Sequence, residues 1–290
     1  MASAGTPVRL RPLPVGELLD ETFKLYRRHF NVIAGVAIVV ILPNLLLALL
    51  SGSYKANTFS YLQQVLQNVN DPTALQAIQN RQTQFTGSPL YLASFPIALI
   101  LLPITGGALF RAATSLAAGD VETIGSVLLG TVKRYFAIAG IGILTVLVVL
   151  GCVAIVTIPV VIWVLIRWAV AMPALFGEGV GPVKAVGRSW NLTRDNWWRT
   201  LGILLLVSIM VSLIQAALGA LFTGIAAVIP GLNDDIRAGL VTTVSTLISA
   251  LVGALSPIAI TLLYLDLRVR KEGLDLDQLA RQALPGTAPA

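Results

Sequence analysis

Long apolar runs, separated by short polar segments, make up most of the chain and predict six membrane-spanning helices. A helix needs roughly 20 residues to cross about 30 Å of hydrocarbon, and each run reaches that length. The run 136–176 is about twice as long, so we predict two crossings there, with a turn near 151–159. The predicted spans are Phe30–Leu50, Pro89–Ala118, two within 136–176, 200–229 and 237–267.

The segment 52–88, between the first two spans, is polar but almost without charge, and we predict that it lies outside the cell as an amphipathic insert. Apolar residues at positions i, i+3, i+4 and i+7 predict a first short helix. These residues are Leu62, Val65, Leu66 and Val69. Asp71 followed by Pro72 is typical of an N-cap and a first helical position, and this pair predicts a second short helix.

Polar segments precede three pairs of spans, and each predicts an amphipathic helix that lies in the membrane interface. In the first segment acidic residues come early and basic residues late, as the helix dipole favours. Its apolar stripe is predicted to be Leu19, Phe23, Tyr26 and Phe30. The stripe of the third segment is predicted to be Val183, Val186, Trp190 and Trp197. Trp and Tyr are typical of the headgroup zone.

The same order of features occurs three times and predicts an internal repeat. The aligned cations are Arg27, Lys133 and Arg194, and the aligned aromatic residues are Phe30, Phe136 and Trp197. In the returning spans a proline precedes a charged residue by eight or nine positions: Pro103 with Arg111, Pro159 with Arg167, and Pro257 with Asp266. We therefore predict an all-α integral membrane fold of three helical hairpins related by pseudo-threefold symmetry.

Composition narrows the class of protein further. Hydrophobic residues make up 56% of the 290 residues, charged residues make up 12%, and the mean hydropathy is +0.83. An ordinary soluble domain carries about 25% charged residues, so these values exclude a typical soluble enzyme and a disordered chain. The single Cys152 permits no internal disulfide, which excludes a disulfide-stabilised secreted scaffold.

The Lys and Arg residues are distributed unequally between the two sides of the membrane. Fifteen of the 20 fall in segments on the same side as the N-terminus, and three fall on the opposite side. By the positive-inside rule both termini are predicted to be cytoplasmic. The same rule accounts for the net charge of +6 without a nucleic-acid partner.

Arg111, Arg167 and Asp266 lie within predicted spans, at equivalent places in the three returning helices. A charge at that depth costs about 2.5–3.5 kcal/mol on insertion scales, so these side chains are expected to face the bundle interior and to find partners. One interpretation is a shared buried ion cluster that joins the three hairpins. The other is a site for an anion or a lipid headgroup, because two Arg and one Asp leave a net positive charge.

The basic residues of the three interfacial segments are candidates for contact with anionic lipid headgroups. They are Lys24, Arg27, Arg28, Lys133, Arg134, Arg188 and Arg194. The simpler alternative is that these segments only anchor and orient the hairpins.

Candidate catalytic groups are scarce. His29 is the only histidine, and one His with one Cys excludes a His-rich or Cys-rich metal site. Nothing in the sequence places a serine nucleophile beside His29, and no phosphate-binding loop or dinucleotide fingerprint occurs. We therefore predict no catalytic residues, no metal, no cofactor and no enzymatic activity.

Three segments carry a family resemblance: RPLPVGELLDETFKLYRRHF, KAVGRSWNLTRDNWWRTLGILLL and LLYLDLRVRKEGLDLDQLA. Together they resemble the bacterial family named for the glycerophosphoryl diester phosphodiesterase membrane domain. Members that gave the family its name fuse this membrane part to a catalytic barrel of ~250 residues. This chain is too short after 267 for such a barrel, so the resemblance implies the membrane module without the enzyme.

We accordingly predict a cytoplasmic N-terminus at 1–29, a six-helix transmembrane domain at 30–267 and a cytoplasmic tail at 268–290. The predicted location is the bacterial cytoplasmic membrane. The predicted function is a non-catalytic module that organises or binds anionic lipid, a partner protein or a second copy of itself. The alternative is a small transporter or lipid-moving protein that uses the buried Arg and Asp residues.

Overall fold

The structure is a computed structural model that describes residues 11–52, 65, 68–69, 71–86, 89–150, 158–231 and 233–273. All regular elements in these ranges are α-helices. The first six are α1 (Val15–Arg28), α2 (Phe30–Leu50), α3 (Pro72–Thr86), α4 (Pro89–Ala118), α5 (Ile124–Lys133) and α6 (Tyr135–Leu150). The others are α7 (Ile158–Trp168), α8 (Ala171–Gly177), α9 (Pro182–Thr193), α10 (Trp197–Val228), α11 (Asp234–Gly253) and α12 (Leu255–Glu272).

Most of these helices belong to segments that are long and apolar enough to cross a membrane. Within the described residues there are five: Phe30–Leu50, Pro89–Ala118, Pro159–Gly177, Trp197–Val228 and Asp235–Glu272. A sixth results if α5 and α6, which meet at 65°, are counted as one bent crossing. The predicted all-α membrane class is therefore confirmed, with five or six spans. The pairing of the spans into three hairpins and the threefold repeat stay predictions.

Two short helices are predicted in the polar segment before α4, and the structure describes the second of them as α3. The carboxylate of Asp71 accepts hydrogen bonds from the backbone N–H groups of Thr73 (3.0 Å) and Ala74 (3.1 Å), which confirms the predicted N-cap of α3. A hydrogen bond from the Thr73 hydroxyl, together with these amides, lowers the pKa of Asp71 below its ordinary value. The predicted helix with Leu62 and the predicted turn near 151–159 lie largely or wholly outside the described residues.

The chain forms two compact units. The first comprises Met1–Ala37, Pro103–Ser212 and Gly253–Ala290, and the second comprises Ile38–Leu102 and Leu213–Val252. Most buried side chains belong to the first unit, and α12 supplies the largest group of them, including Leu262, Leu263 and Tyr264. In the second unit large apolar side chains such as Phe95 (60% exposed) and Leu99 (68% exposed) face outward, as expected of helices surrounded by lipid.

Helix α1 has two apolar faces, and one of them is buried in the described part of the chain. Its buried residues are Leu18, Thr22 and Leu25, and the helix lies against α12. The stripe predicted from the sequence lies beside this face, and Phe23 (36%) and Phe30 (45%) are exposed. Helix α9 also packs through a face other than its predicted stripe. The residues that it buries are Ala185, Ser189, Leu192 and Thr193. The bulky predicted stripes are thus not the faces that pack most closely.

Candidate functional site

A fully buried carboxylate, that of Asp266, joins three segments of the first unit. The Nε atom of Arg199, at the start of α10, donates to Asp266 at 3.2 Å, and its Nη2 atom donates at 3.0 Å. Arg270, one turn further along α12, donates from Nε to both carboxylate oxygens at 3.0 Å. The backbone N–H of Leu13 donates to the same carboxylate at 2.7 Å. Both oxygens of the buried Asp266 carboxylate therefore accept hydrogen bonds, which offset the cost of its burial.

The same two arginines also hold the carbonyl group of Leu13. Arg199 and Arg270 each donate a hydrogen bond from Nη2 to the Leu13 oxygen. Both polar groups of the Leu13 residue are therefore bound, and its side chain is only 5% exposed. This arrangement fixes the N-terminal segment against α10 and α12.

A second charge network surrounds Glu178, in the turn between α8 and α9. Arg188 donates from Nε to the two Glu178 oxygens at 2.7 and 3.0 Å, and the Tyr264 hydroxyl donates at 2.9 Å. Glu272 pairs with Arg188 and with Arg268, which completes a network of two acids and two bases. The turn itself depends on Gly179, whose φ of 69° is in the left-handed region.

Arg167 lies against two indole rings. Its guanidinium carbon is 5.0 Å from the ring centre of Trp163 and 5.3 Å from that of Trp190, which are cation–π distances. The side chain is 8% exposed, and its Nε and Nη1 atoms are buried without a hydrogen-bond partner in the described part of the chain. The backbone carbonyl of Arg167, in contrast, has a hydrogen-bond donor, because the Ser189 hydroxyl donates to it at 2.7 Å.

Arg111 has a third set of neighbours. Its Nη2 atom is 3.6 Å from the Glu122 carboxylate, which lies between α4 and α5. The guanidinium passes directly over Gly130, where an added Cβ would be 2.1 Å from its central carbon. The structure therefore places Arg111, Arg167 and Asp266 among separate partners. Direct pairing of both arginines with Asp266 is not seen, because Arg199 and Arg270 occupy that carboxylate.

The seven basic residues predicted to contact lipid headgroups divide into groups. Two of them, Arg134 and Arg188, form bonds within the protein. Arg134 donates hydrogen bonds to the carbonyls of Leu175 (3.0 Å) and Val180 (3.3 Å). Arg188 belongs to the Glu178 network. Lys24 is half-exposed and pairs with Glu21 at 3.0 Å, which raises the Lys24 pKa. The remaining four, Arg27, Arg28, Lys133 and Arg194, have exposed side chains.

An open cavity of about 660 Å³ lies where α10 begins. Its walls include the rings of Trp163, Trp197 and Trp198. The rings of Trp197 and Trp198 meet edge to face, with centroids 4.6 Å apart. The charged residues at this cavity are Arg194, Asp195 and Arg199. Aromatic walls with a few charged groups are typical of a binding site for a small group.

Sequence reasoning missed Leu13, Glu178, Arg199 and Arg270, which are central to the two charge networks. One signal was present for Glu178, because it is an acid in a segment otherwise rich in Arg and Lys. With two acids, Glu178 and Asp195, among four bases in 177–199, each acid is expected to pair with a base. The sequence carried no comparable signal for Leu13, because its backbone groups make the contacts.

His29 is the C-cap residue of α1 and lies between α1 and α2. Partial burial, and then the neighbouring positive charge of Arg28, lower the pKa of the His29 imidazole below its ordinary value. Within the described ranges no three His, Cys, Asp or Glu side chains come together as a metal site would require.

Comparisons with known proteins add one finding. A comparison with curated proteins and another with solved structures found no match. The model of one protein family, described as the membrane domain of glycerophosphoryl diester phosphodiesterase, matches residues 137–284, slightly more than half of the chain. The match includes Arg167, Glu178, Arg199 and Asp266, whereas Leu13 and Arg111 lie before it. The chain belongs to the family of the glycerophosphoryl diester phosphodiesterase membrane domain.

Proposed function

We propose that the chain is a non-catalytic membrane module that binds anionic lipid headgroups along its cytoplasmic side, in the bacterial cytoplasmic membrane. The proposal includes the three-hairpin repeat with both termini in the cytoplasm. Its support comes from one pattern in the first unit. Arg27, Lys133 and Arg194 are exposed and form no side-chain hydrogen bond or ion pair within the described residues.

Each of these three cations is followed, three or four residues later, by an exposed aromatic ring. Phe30 is 45% exposed, Phe136 is 87% exposed and Trp198 is 78% exposed. A positive charge beside an exposed ring suits the boundary between headgroups and acyl chains, since the ring enters the apolar zone while the cation meets a phosphate. The three cations are also the ones that the sequence repeat aligns.

We expect the triple variant Arg27→Gln, Lys133→Gln, Arg194→Gln to lose its preference for phosphatidylglycerol over phosphatidylcholine. Each basic residue near an anionic surface contributes about 1 kcal/mol, so affinity should fall about fivefold per cation and roughly 100-fold in all. Native mass spectrometry of the purified chain with each lipid measures the preference. Lys184→Gln is the matched control, because Lys184 is exposed on α9 without a following aromatic ring and should bind as wild type. Unchanged lipid preference in the triple variant would contradict the proposal.

We also expect the purified chain to leave glycerophosphodiesters intact, because its general acid–base groups are so few. Release of glycerol phosphate from glycerophosphocholine, measured by an enzyme-coupled assay, checks this expectation. Hydrolysis that survives purification and is abolished in His29→Ala would make the chain an enzyme. A buffer blank with an unrelated membrane protein controls for contaminating hydrolase.

A second candidate is a small transporter or lipid-moving protein. The observation in its favour is a cavity of about 460 Å³ in the second unit, where four hydroxyl residues of α11 lie among apolar side chains. Its hydroxyl residues are Thr242, Ser245, Thr246 and Ser249. Movement of fluorescent phosphatidylglycerol between leaflets of proteoliposomes, lost in Ser249→Leu, would favour this function over the first.

A further inference from the structure

The cavity of about 460 Å³ in the second unit, here called the hydroxyl groove, is open and is lined by residues of α2 and α11. Its volume is in the range of binding sites for small molecules. The hydroxyl residues occur at positions i, i+3, i+4 and i+7 of α11, which places them on one face of the helix. They are Thr242, Ser245, Thr246 and Ser249.

None of these four hydroxyls forms a side-chain hydrogen bond within the described residues. Several other hydroxyls in the spans donate to a carbonyl of their own helix, including Thr114, Thr145 and Thr261. Thr243 does so on α11 itself, where it donates to the Gly239 carbonyl at 2.8 Å. An unpaired hydroxyl among acyl chains is costly, so a molecule that offers hydrogen-bond partners would bind favourably in the groove.

The hydroxyl groove belongs to an uncharged part of a membrane span. Helix α11 lies in the span Asp235–Glu272, and no charged residue occurs between Arg237 and Asp266. At about 1.5 Å per residue, the four hydroxyls lie roughly 8–18 Å beyond Arg237, within a hydrocarbon layer of about 30 Å. The residues that line the groove are uncharged as well. A charged headgroup would lose its hydration there without gaining a counterion, so the groove favours an uncharged ligand.

The two helices that form the groove also carry exposed apolar side chains. Leu46 on α2 is 55% exposed, and Leu240 on α11 is 43% exposed. A ligand with acyl chains would cover such surface, so a lipid suits the groove better than a water-soluble molecule. The polar part of this lipid must accept hydrogen bonds, and ester carbonyls do so. The backbone carbonyls of a second transmembrane helix, in contrast, are already bonded within that helix.

We propose that the hydroxyl groove binds the glycerol part of one diacylglycerol, an uncharged lipid with two ester carbonyls and one hydroxyl. A serine or threonine hydroxyl is both a donor and an acceptor, so the groove can donate to the ester carbonyls and accept from the lipid hydroxyl. Ile41, Val241 and Ala250 provide apolar contacts for the acyl chains. The groove belongs to the second unit and the cations of the proposed function belong to the first, so neither assignment rests on the other.

Native mass spectrometry of the full chain in detergent, titrated with dioleoylglycerol, tests the proposal. We expect one molecule to bind at least tenfold more tightly than later ones. In the double variant Ser245→Ala, Ser249→Ala this first step should weaken about tenfold, as expected for the loss of one or two neutral hydrogen bonds. Thr243→Val is the matched control, because the Thr243 hydroxyl is already bonded to Gly239, and it should bind as wild type. An equal first step in wild type and the double variant would overturn the site.

Competing lipids separate the possible ligands. The dioleyl ether analogue, which has no ester carbonyls, should bind about tenfold more weakly than dioleoylglycerol, and equal affinity would overturn the assignment to an ester. Dioleoyl phosphatidylglycerol should not compete for the first step. Equal competition by this lipid would overturn the assignment to an uncharged ligand and would favour the second candidate function.

Two more outcomes concern the rest of the molecule. A two-chain species that is lost in the double variant, while dioleoylglycerol binding stays unchanged, would overturn the proposal and assign the groove to a second copy of the chain. The triple variant Arg27→Gln, Lys133→Gln, Arg194→Gln should lose its preference for phosphatidylglycerol and keep the dioleoylglycerol step. A wild-type chain without that step would end this inference and leave the proposed function standing.

Discussion

Replacing Asp266 by Ala is expected to lower the free energy of unfolding by about 3–5 kcal/mol, the largest single effect we predict. The substitution removes a fully buried carboxylate that accepts hydrogen bonds from Arg199, Arg270 and the Leu13 amide. Two guanidinium groups would then remain partly buried without a counterion. Their desolvation would no longer be offset.

Reversible unfolding in mixed micelles, followed by circular dichroism, measures this change. Asp20→Ala is the matched control: Asp20 is 77% exposed and 3.8 Å from Lys24, so its loss should cost less than about 0.5 kcal/mol. A double-mutant cycle with Arg270→Ala isolates the pair. A loss below about 1 kcal/mol in Asp266→Ala would show that the network contributes little to stability.

Glu178→Ala is expected to cost about 2–3 kcal/mol, the second largest effect. The carboxylate accepts hydrogen bonds from Arg188 and from the buried Tyr264 hydroxyl, and Arg268 lies 3.7 Å away. Its loss leaves the hydroxyl without an acceptor. The cost is smaller than at Asp266, because Glu178 keeps 20% side-chain exposure and Glu272 still pairs with both arginines.

Thermal unfolding of the same detergent preparations checks the second prediction. Glu21→Ala serves as its control, since Glu21 pairs with Lys24 on the surface of α1 and should change stability by a few tenths of a kcal/mol. Glu178→Gln should recover part of the loss, because the amide oxygen still accepts a bond from Tyr264. Equal stability of Glu178→Ala and Glu21→Ala would contradict the structural role assigned to Glu178.

The membrane spans were predictable from the sequence, and the charge partners were not. The predicted bounds of the first two spans, Phe30–Leu50 and Pro89–Ala118, are those of α2 and α4, because apolar character is a local property of a run. Asp266, in contrast, finds Arg199 at a separation of 67 positions and Leu13 at a separation of 253. Burial of Asp266 predicts that partners exist, but their identity depends on the packing of helices.

Helix α1 shows a second limit of sequence reasoning. Its sequence has apolar residues on adjoining arcs, one with Leu18 and Leu25 and one with Phe23. Periodicity predicts a helix in either case. A helix between protein and lipid needs apolar residues on both sides, so the pattern alone does not identify the arc that packs on α12.

The bonds between Leu13 and Asp266 also bear on how the protein is made. A ribosome adds about 5–20 residues per second, so Leu13 is synthesised many seconds before Asp266. During that interval Arg199 is inserted without its carboxylate partner, and the segment before α1 has nowhere to bind. Helix α12, which follows the other described helices in the chain, therefore supplies the carboxylate that completes this network. Chains truncated before Asp266 and released from the ribosome should be open to membrane proteases, whereas released chains that end just beyond Glu272 should resist them.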